Sequence, residues 1–205
     1  MGRSGGGPHA LACAALHPER VLSAGVLVSL APPDAPELDW FEGMTKSNVR
    51  EYRNARENLE ELQTTLVQNA DAIRADPGSL LSGLDEEMPA VDRRVVADAG
   101  IRGMLKQNFL IGVGESADGW IDDAVSFCKP WGFDPAAITV PTLLWHGERD
   151  VFSPVGHFQW LAGRIPRATV ILQPSAAHFD AVSVLPRVLG WLRDQARKDA
   201  AARTA

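Results

Sequence analysis

Hydrophobic and polar positions divide this chain into two kinds of segment. Three near-continuous apolar runs, at about 20–30, 139–146 and 168–173, predict strands, and the first is typical of a parallel strand buried on both faces. Amphipathic stretches at about 155–165 and 182–200 follow the last two runs and predict helices. This alternation predicts an α/β fold with a short, mostly parallel sheet of three strands flanked by helices.

The block between the first two runs has a different composition. Helical periodicity covers 47–75, 91–109 and 117–128, with glycines and prolines between these stretches. This pattern predicts a helical insertion between two strands. We therefore assign residues 1–33 and 135–205 to an α/β core and residues 34–134 to the insertion.

The chain begins with a motif that carries chemistry, Gly2-Arg3-Ser4-Gly5-Gly6. It has the form G-x-S-x-G, which presents a serine on a sharp turn between a strand and a helix. Pro8 suits the first turn of the helix that follows, because the N–H groups of a first turn have no acceptor within the helix and the N–H that proline lacks is not needed there. Only Met1 stands where a strand should enter the turn.

Two later loops offer partners for such a serine. The run 140–147 leads to Asp150, and the run 168–173 leads to His178. A serine hydroxyl is a poor nucleophile at neutral pH without a base, and the base needs an acid to orient it. The order Ser, Asp, His along the chain is the order in α/β-hydrolases.

These segments together resemble the α/β-hydrolase family, in the group with a helical cap. The resemblance rests on the Gly2–Pro8 segment, on His146-Gly147-Glu148-Arg149-Asp150 and on Ala177-His178-Phe179. It implies a partial α/β-hydrolase fold in which residues 34–134 form the cap. It further implies that Ser4 is the nucleophile, His178 the general base and Asp150 its orienting acid, with the Gly5 N–H as one oxyanion donor.

The chain departs from the family at its start. Members of the family have several strands before the serine turn, and an earlier loop supplies the second oxyanion N–H. The sequence therefore resembles a hydrolase truncated at its N-terminus, starting at the nucleophile turn. Its first strand would present an unpaired edge, and we expect a homodimer formed through that edge.

Other acids and histidines compete for the catalytic roles. Asp150 is preferred as the acid because its position matches the family motif, although Glu148 lies on the same loop. Asp122 and Asp123, on a predicted cap helix, are expected to face solvent. The other histidines, His9, His17, His146 and His157, are weaker candidates for the general base. His146 is expected in the core, and nothing in the sequence orients His9.

Composition narrows the classes of function. The 205 residues are 45% hydrophobic and 22% charged, as in ordinary globular proteins. A net charge of −6 gives no electrostatic reason for nucleic-acid binding, and no apolar run is long enough to cross a bilayer. No Cys/His cluster has metal-ligand spacing, and no cofactor is implied. Cys13 and Cys128 are expected to be reduced, Cys13 as a buried packing residue, in a cytoplasmic protein.

The resemblance implies a serine hydrolase that acts on a carboxylic ester or related acyl substrate through an acyl-enzyme. A small apolar ester is the simplest substrate, because aliphatic and aromatic residues are frequent in the cap. Trp120, Trp131, Phe133 and Trp145 are expected in the core rather than in the site. The alternative is a non-catalytic or weakly active chain that serves as a binding or assembly module.

Overall fold

The computed structural model describes residues 1–204 and places a parallel sheet between two layers of helices. Within these residues the strands are β1 (Gly2–Arg3), β2 (Ala24–Leu27), β3 (Thr142–Gly147) and β4 (Ala168–Gln173). Their order across the sheet is the order along the chain, and each neighbouring pair is parallel. Ala205, the last residue of the predicted core segment, lies outside the described residues.

Nine α-helices complete the described part of the chain. They are α1 (Gly6–Leu16), α2 (Lys46–Glu57), α3 (Leu59–Ala75), α4 (Ser79–Leu84), α5 (Ala90–Ala97), α6 (Ala99–Val113), α7 (Asp118–Phe127), α8 (Val155–Arg164) and α9 (Leu185–Thr204). Two 3₁₀ turns, Pro135–Ala137 and Phe179–Val182, lie before β3 and after β4. No helix in residues 1–204 is both long and apolar enough to span a membrane.

The sheet has one strand more than the three predicted. Gly2 and Arg3 pair with Val26 and Leu27 and so form β1 where the sequence had suggested only Met1. The predicted strand at 20–30 is shorter, because regular pairing stops at Leu27. Val28 has a φ of 46°, a left-handed conformation that a strand cannot accommodate.

The core lies on both faces of the sheet. Val26 and Leu144 pack with Leu11 of α1 and Phe158 of α8 on one face. The opposite face packs against α9, through residues that include Leu27, Leu143, Trp145 and Val188. Because β2 and β3 are buried on both sides, their side chains are apolar at nearly every position, which is why their pattern showed no alternation. β4 lies at the sheet edge and is not fully buried: Val170 is 47% and Leu172 36% exposed.

Cys13 does not lie where the sequence predicted. It is exposed, whereas Leu11 and Ala14 of the same helix are buried against the sheet. The small, apolar residues of α1 gave no clear polar face, so periodicity could not show which side faces solvent. Both Cys13 and Cys128 are free thiols.

Helices α2–α7 lie between β2 and β3 in sequence and have a core of their own. The buried residues of this cluster come from α3, from α7 and from the end of α6 with the turn that follows it: Leu62, Leu66, Ala70, Ile73, Val113, Ala117, Ile121 and Ala124. We call this helical layer, residues 46–127, the cap.

Candidate active site

Ser4 lies on the turn between β1 and α1, in a conformation that side chains rarely adopt. Its φ is 52°, in the left-handed region. The turn is tight: a Cβ added to Gly2 would lie 1.9 Å from the carbonyl oxygen of Gly6. The Ser4 N–H donates to the Leu27 carbonyl at 2.9 Å, which anchors the turn to β2. This is the strained geometry of a turn that presents a nucleophilic serine at the top of a sheet.

The peptide after Ser4 leaves a donor available. Among the backbone hydrogen bonds of residues 1–204, none is donated by the Gly5 N–H. Gly5 lines the same cavity as Ser4, and a Cβ there would lie 3.1 Å from the Phe127 ring. The Gly5 N–H therefore lies at the cavity beside Ser4 without a backbone acceptor among the described residues.

Asp150 lies in the loop after β3 and is buried, with 4% of its surface exposed. Its Oδ1 accepts from the N–H groups of Phe152 at 2.8 Å and Ser153 at 2.9 Å. Its Oδ2 lies 2.8 Å from Nδ1 of His178. Burial alone would raise the pKa of Asp150, but these partners, His178 above all, lower it, so the side chain is a carboxylate.

The loops that carry Asp150 and His178 are held against each other. A Cβ at Gly147 would lie 2.5 Å from the backbone of Ala176, so only glycine permits this approach. The Arg149 N–H also donates to the Ala176 carbonyl at 3.0 Å. The acid and the histidine are thereby positioned by backbone contacts as well as by their own hydrogen bond.

His178 has the arrangement of a general base. Its Nδ1 donates to the ionised Asp150, which assigns the proton of the neutral ring to Nδ1 and leaves the lone pair on Nε2. Among the described residues, no hydrogen bond engages Nε2. Only 7% of the side chain is exposed.

Ser4 and His178 line one cavity of about 510 Å³, while Asp150 lies behind His178. The structure thus brings together the three predicted site residues at the carboxyl edge of the parallel sheet, where β1, β3 and β4 end. Helices α2, α3, α4 and α7 of the cap, with Phe109 of α6, form the opposite wall of the cavity.

Most of the competing residues do not line the cavity. Glu148, Asp122 and His17 are exposed. His146 is fully buried, as predicted for a core histidine, and its Nε2 lies 2.8 Å from the Ser153 carbonyl. His157 is also buried: the Ala31 N–H donates to its Nδ1 at 3.0 Å. Burial lowers the pKa of His157 to about 4, which keeps the ring neutral.

One of the predictions about competing residues is wrong, the one for His9. Asp123 has a side chain that is 46% exposed and also lines the cavity, and its Oδ1 lies 2.9 Å from Nε2 of His9. His9 is therefore oriented, by an acid 114 positions away in sequence and by the Phe127 ring at 5.8 Å. A partner so distant along the chain leaves no local signal.

The aromatic residues divide between core and cavities. Trp145 is buried in the sheet core, as expected. Trp120, by contrast, lines the main cavity. Trp131 and Phe133 stack at 5.5 Å and line a second cavity of about 290 Å³.

Three charged residues near the site had not been singled out from the sequence. Arg3 lines the cavity, and its Nη2 donates to the His178 carbonyl at 3.4 Å. Glu51 of α2 also lines it and accepts from the Trp120 indole at 3.2 Å. Asp92 of α5 is fully buried against the His178 loop. Helix periodicity placed Glu51 and Asp92 in predicted helices of the insertion. It gave no indication that the fold would bring them to the site.

No arrangement of His, Cys, Asp and Glu side chains suited to holding a metal ion occurs in residues 1–204.

Comparison with known proteins identifies the fold. No protein-family model matches the chain, and no curated protein matches its sequence. Solved structures do match: an enol-lactonase from Burkholderia xenovorans is 18% identical with a TM-score of 0.55, over 94% of this chain and 62% of that one. This chain has the α/β-hydrolase fold.

Two further α/β-hydrolase structures agree. A thermophilic esterase from Thermogutta terrifontis is 20% identical with a TM-score of 0.56, over 96% of this chain and 63% of that one. An N-acyl homoserine lactone degrading enzyme is 23% identical with a TM-score of 0.55, over 94% of this chain and 65% of that one. The chain thus spans less than two thirds of the length of these three structures.

Proposed function

We propose that this α/β-hydrolase chain is a serine hydrolase that cleaves carboxylic esters or lactones through Ser4, His178 and Asp150. One observation carries the proposal: a buried Asp150–His178 pair and a serine in a left-handed turn meet at one cavity. The printed names of the similar structures, which include an esterase and enzymes acting on lactones, agree with this substrate class.

The proposal gives each of these residues a role. His178 Nε2 takes the proton of the Ser4 hydroxyl while the serine oxygen attacks the carbonyl carbon of the substrate. Asp150 holds the ring in the tautomer with Nδ1 protonated and balances the imidazolium charge that forms. The Gly5 N–H donates to the negative oxygen of the tetrahedral intermediate.

Two further steps complete the reaction: loss of the alcohol and hydrolysis of the acyl-enzyme. The carbon–oxygen bond to the alcohol breaks, and His178 gives its proton to the departing oxygen, which leaves Ser4 acylated. Water then enters, His178 removes its proton, and hydroxide attacks the acyl carbon. The carboxylic acid leaves as Ser4 regains its proton.

The cavity favours an acyl group with an apolar body and a polar end. Aromatic and aliphatic side chains supply much of the lining, including Phe127, Phe152 and Phe179. The face of α2 adds polar groups, with Asn48, Glu51 and Tyr52. A volume of about 510 Å³ suits a small molecule rather than a polymer.

Labelling with a fluorescent fluorophosphonate tests the proposal. The probe phosphonylates only a serine that a base activates, so we expect labelling of the wild type and none of Ser4→Ala. Hydrolysis of 4-nitrophenyl acetate should fall by on the order of 10³-fold or more in the same variant.

A matched control keeps this test specific. Ser116→Ala changes an exposed serine of the cap and should label like the wild type. A folded wild-type protein that takes no label, or labelling that persists in Ser4→Ala, would contradict the assignment of Ser4. The first of these outcomes would favour the binding or assembly module instead.

A further inference from the structure

Asp92 is a cap residue that lies against the catalytic histidine loop. It belongs to α5 and has none of its surface exposed, which is unusual for an aspartate. Its partners are backbone N–H groups and not an imidazole, so it is not a rival to Asp150. A buried carboxylate is costly unless its partners are well placed, and those partners show what it does.

Both oxygens of Asp92 are engaged by the loop that follows β4. Oδ1 accepts from the Phe179 N–H at 2.7 Å, and Oδ2 accepts from the His178 N–H at 3.3 Å. These N–H groups belong to the start of the 3₁₀ turn Phe179–Val182. The Asp92 carboxylate therefore fixes the backbone of His178 by hydrogen bonds, while Asp150 accepts a hydrogen bond from the His178 ring.

The cap also contacts the loop that carries the acid. The Asn48 amide of α2 donates to the Phe152 carbonyl at 3.0 Å, and the N–H of Thr45, the residue just before the cap, donates to the Val151 carbonyl at 2.8 Å. Phe152 and Phe179 lie in one buried cluster with Met88 and Val96 of the cap side. Both catalytic loops are thus packed against the cap, and Asp92 is the ionisable group at that contact.

Three charged or titratable groups face Asp92. Arg3 approaches from the serine turn, His178 from the loop after β4, and Asp150 from the loop after β3. Burial raises the pKa of Asp92 to about 6, against the lowering effect of the Phe179 and His178 N–H groups and of the His178 charge. Both carboxylate oxygens of Asp92 accept backbone hydrogen bonds. Protonation of Asp92 would place a hydrogen on one of these two oxygens.

We propose that Asp92 is a positioning residue: from the cap it fixes the backbone of His178, so that the catalytic base is aligned only when the cap is seated. The inference rests on the proposed serine hydrolase function. Small displacements of a base relative to its nucleophile are expensive, and a shift of about 1 Å can cost on the order of 10²-fold in rate.

Asp92→Asn separates positioning from folding. Asparagine keeps the shape but offers one acceptor, so its amide nitrogen would face an N–H donor. We expect kcat for 4-nitrophenyl acetate to fall about 10- to 100-fold with little change in KM. Since a buried charge is removed, the melting temperature at pH 8 should stay near that of the wild type.

The pH profile gives a second readout that a purely structural role would not move. In the wild type Asp92 must lose a proton for full activity, so kcat should fall as pH drops through about 6. Asp92→Asn has no such carboxyl, so this part of the fall should be absent and the acid limb of log kcat should be shallower. The control is Asp98→Asn, another aspartate of the cap, which accepts only from the Ile101 N–H and should keep wild-type kinetics.

Hydrogen exchange measures the contact without any substrate. The amides of residues 177–182 should exchange faster in Asp92→Asn than in the wild type, and not in Asp98→Asn. Unchanged protection, or unchanged kcat with a wild-type acid limb, would overturn the proposal. If protection changes but the wild type takes no fluorophosphonate, the proposed function fails, and Asp92 is then only a structural bond. Faster exchange together with a lower kcat and a shallower acid limb would establish the role.

Discussion

Single residues in the cavity carry charges that burial has altered, and Glu51 is the clearest case outside the catalytic set. Burial raises the pKa of Glu51 to about 7, although the hydrogen bond from Trp120 opposes the shift. The carboxyl therefore titrates near neutral pH on a wall of the cavity. Above that pH Glu51 adds a negative charge to the wall, and below it Glu51 is neutral.

We expect Glu51→Gln to abolish a pH dependence of KM. As pH rises from 6 to 8, KM for an ester whose acyl chain ends in a carboxylate should rise in the wild type, because like charges repel. KM for a neutral ester of equal length should stay constant. In Glu51→Gln both should be constant, and a wild-type KM that is independent of pH for both esters would contradict this prediction.

The same residue should affect stability, with a defined sign. The folded pKa of Glu51 lies above the ordinary value of 4.5, so between these values the folded state binds more protons than the unfolded one. Its contribution to stability is therefore lost as pH rises through about 7. The melting temperature of Glu51→Gln, relative to that of the wild type, should therefore rise from pH 5 to pH 8. A relative melting temperature that falls over this range would show that the carboxylate is favourably paired.

How much of the site the sequence predicts depends on whether a residue's signal is local. Ser4, Asp150 and His178 each sit in a short motif at a strand end, and the structure places them together. Asp92 gives no such signal, because its partner Phe179 is 87 positions away. A periodic pattern indicates which face of a helix is buried. It does not indicate which distant loop that face packs against.

Helices of the cap show the same limit at the scale of elements. The periodic stretch 47–75 predicted continuous helix, but the structure divides it into α2 and α3 at Asn58. Asn58 has a φ of −147°, its N–H closes α2 on Asn54, and its side chain accepts from the Glu61 N–H at 3.2 Å. One asparagine thus ends one helix and caps the next, which hydrophobic periodicity alone does not reveal.

Leu66→Ala should show how far the cap depends on its own core. Leu66 is fully buried in the cap cluster, so its truncation should lower the free energy of unfolding by about 2–5 kcal/mol. Val67→Ala, at the next position of α3 and 44% exposed, is the matched control and should change it by about 0.5 kcal/mol or less. Urea denaturation of both variants measures the difference, and equal losses would mean that the cap core is not closely packed.

For the whole molecule, the feature that stands out is the edge of the sheet at β1. This strand has two residues and pairs with β2 on one side, and no other strand in residues 1–204 pairs with its second side. Met1, the residue before this strand, is an apolar side chain that is 53% exposed. We propose that two copies of this chain associate through this edge, since unpaired edges recruit further strands.

Light scattering coupled to size exclusion tests this association. We expect a dimer whose share rises with protein concentration between about 1 and 100 μM, because a short edge supports only modest affinity. A monodisperse monomer across that range would contradict the proposal.

The insertion of the cap between β2 and β3 has a consequence for how the chain folds. Leu27 must pair with Trp145, so this contact closes a long loop, and such contacts slow folding. The cap cluster, however, forms from residues 62–124 alone, and its helices can collapse locally and shorten the effective loop. We expect the cap helices to gain structure first and the sheet, with the edge that carries Ser4, Asp150 and His178, to be completed last.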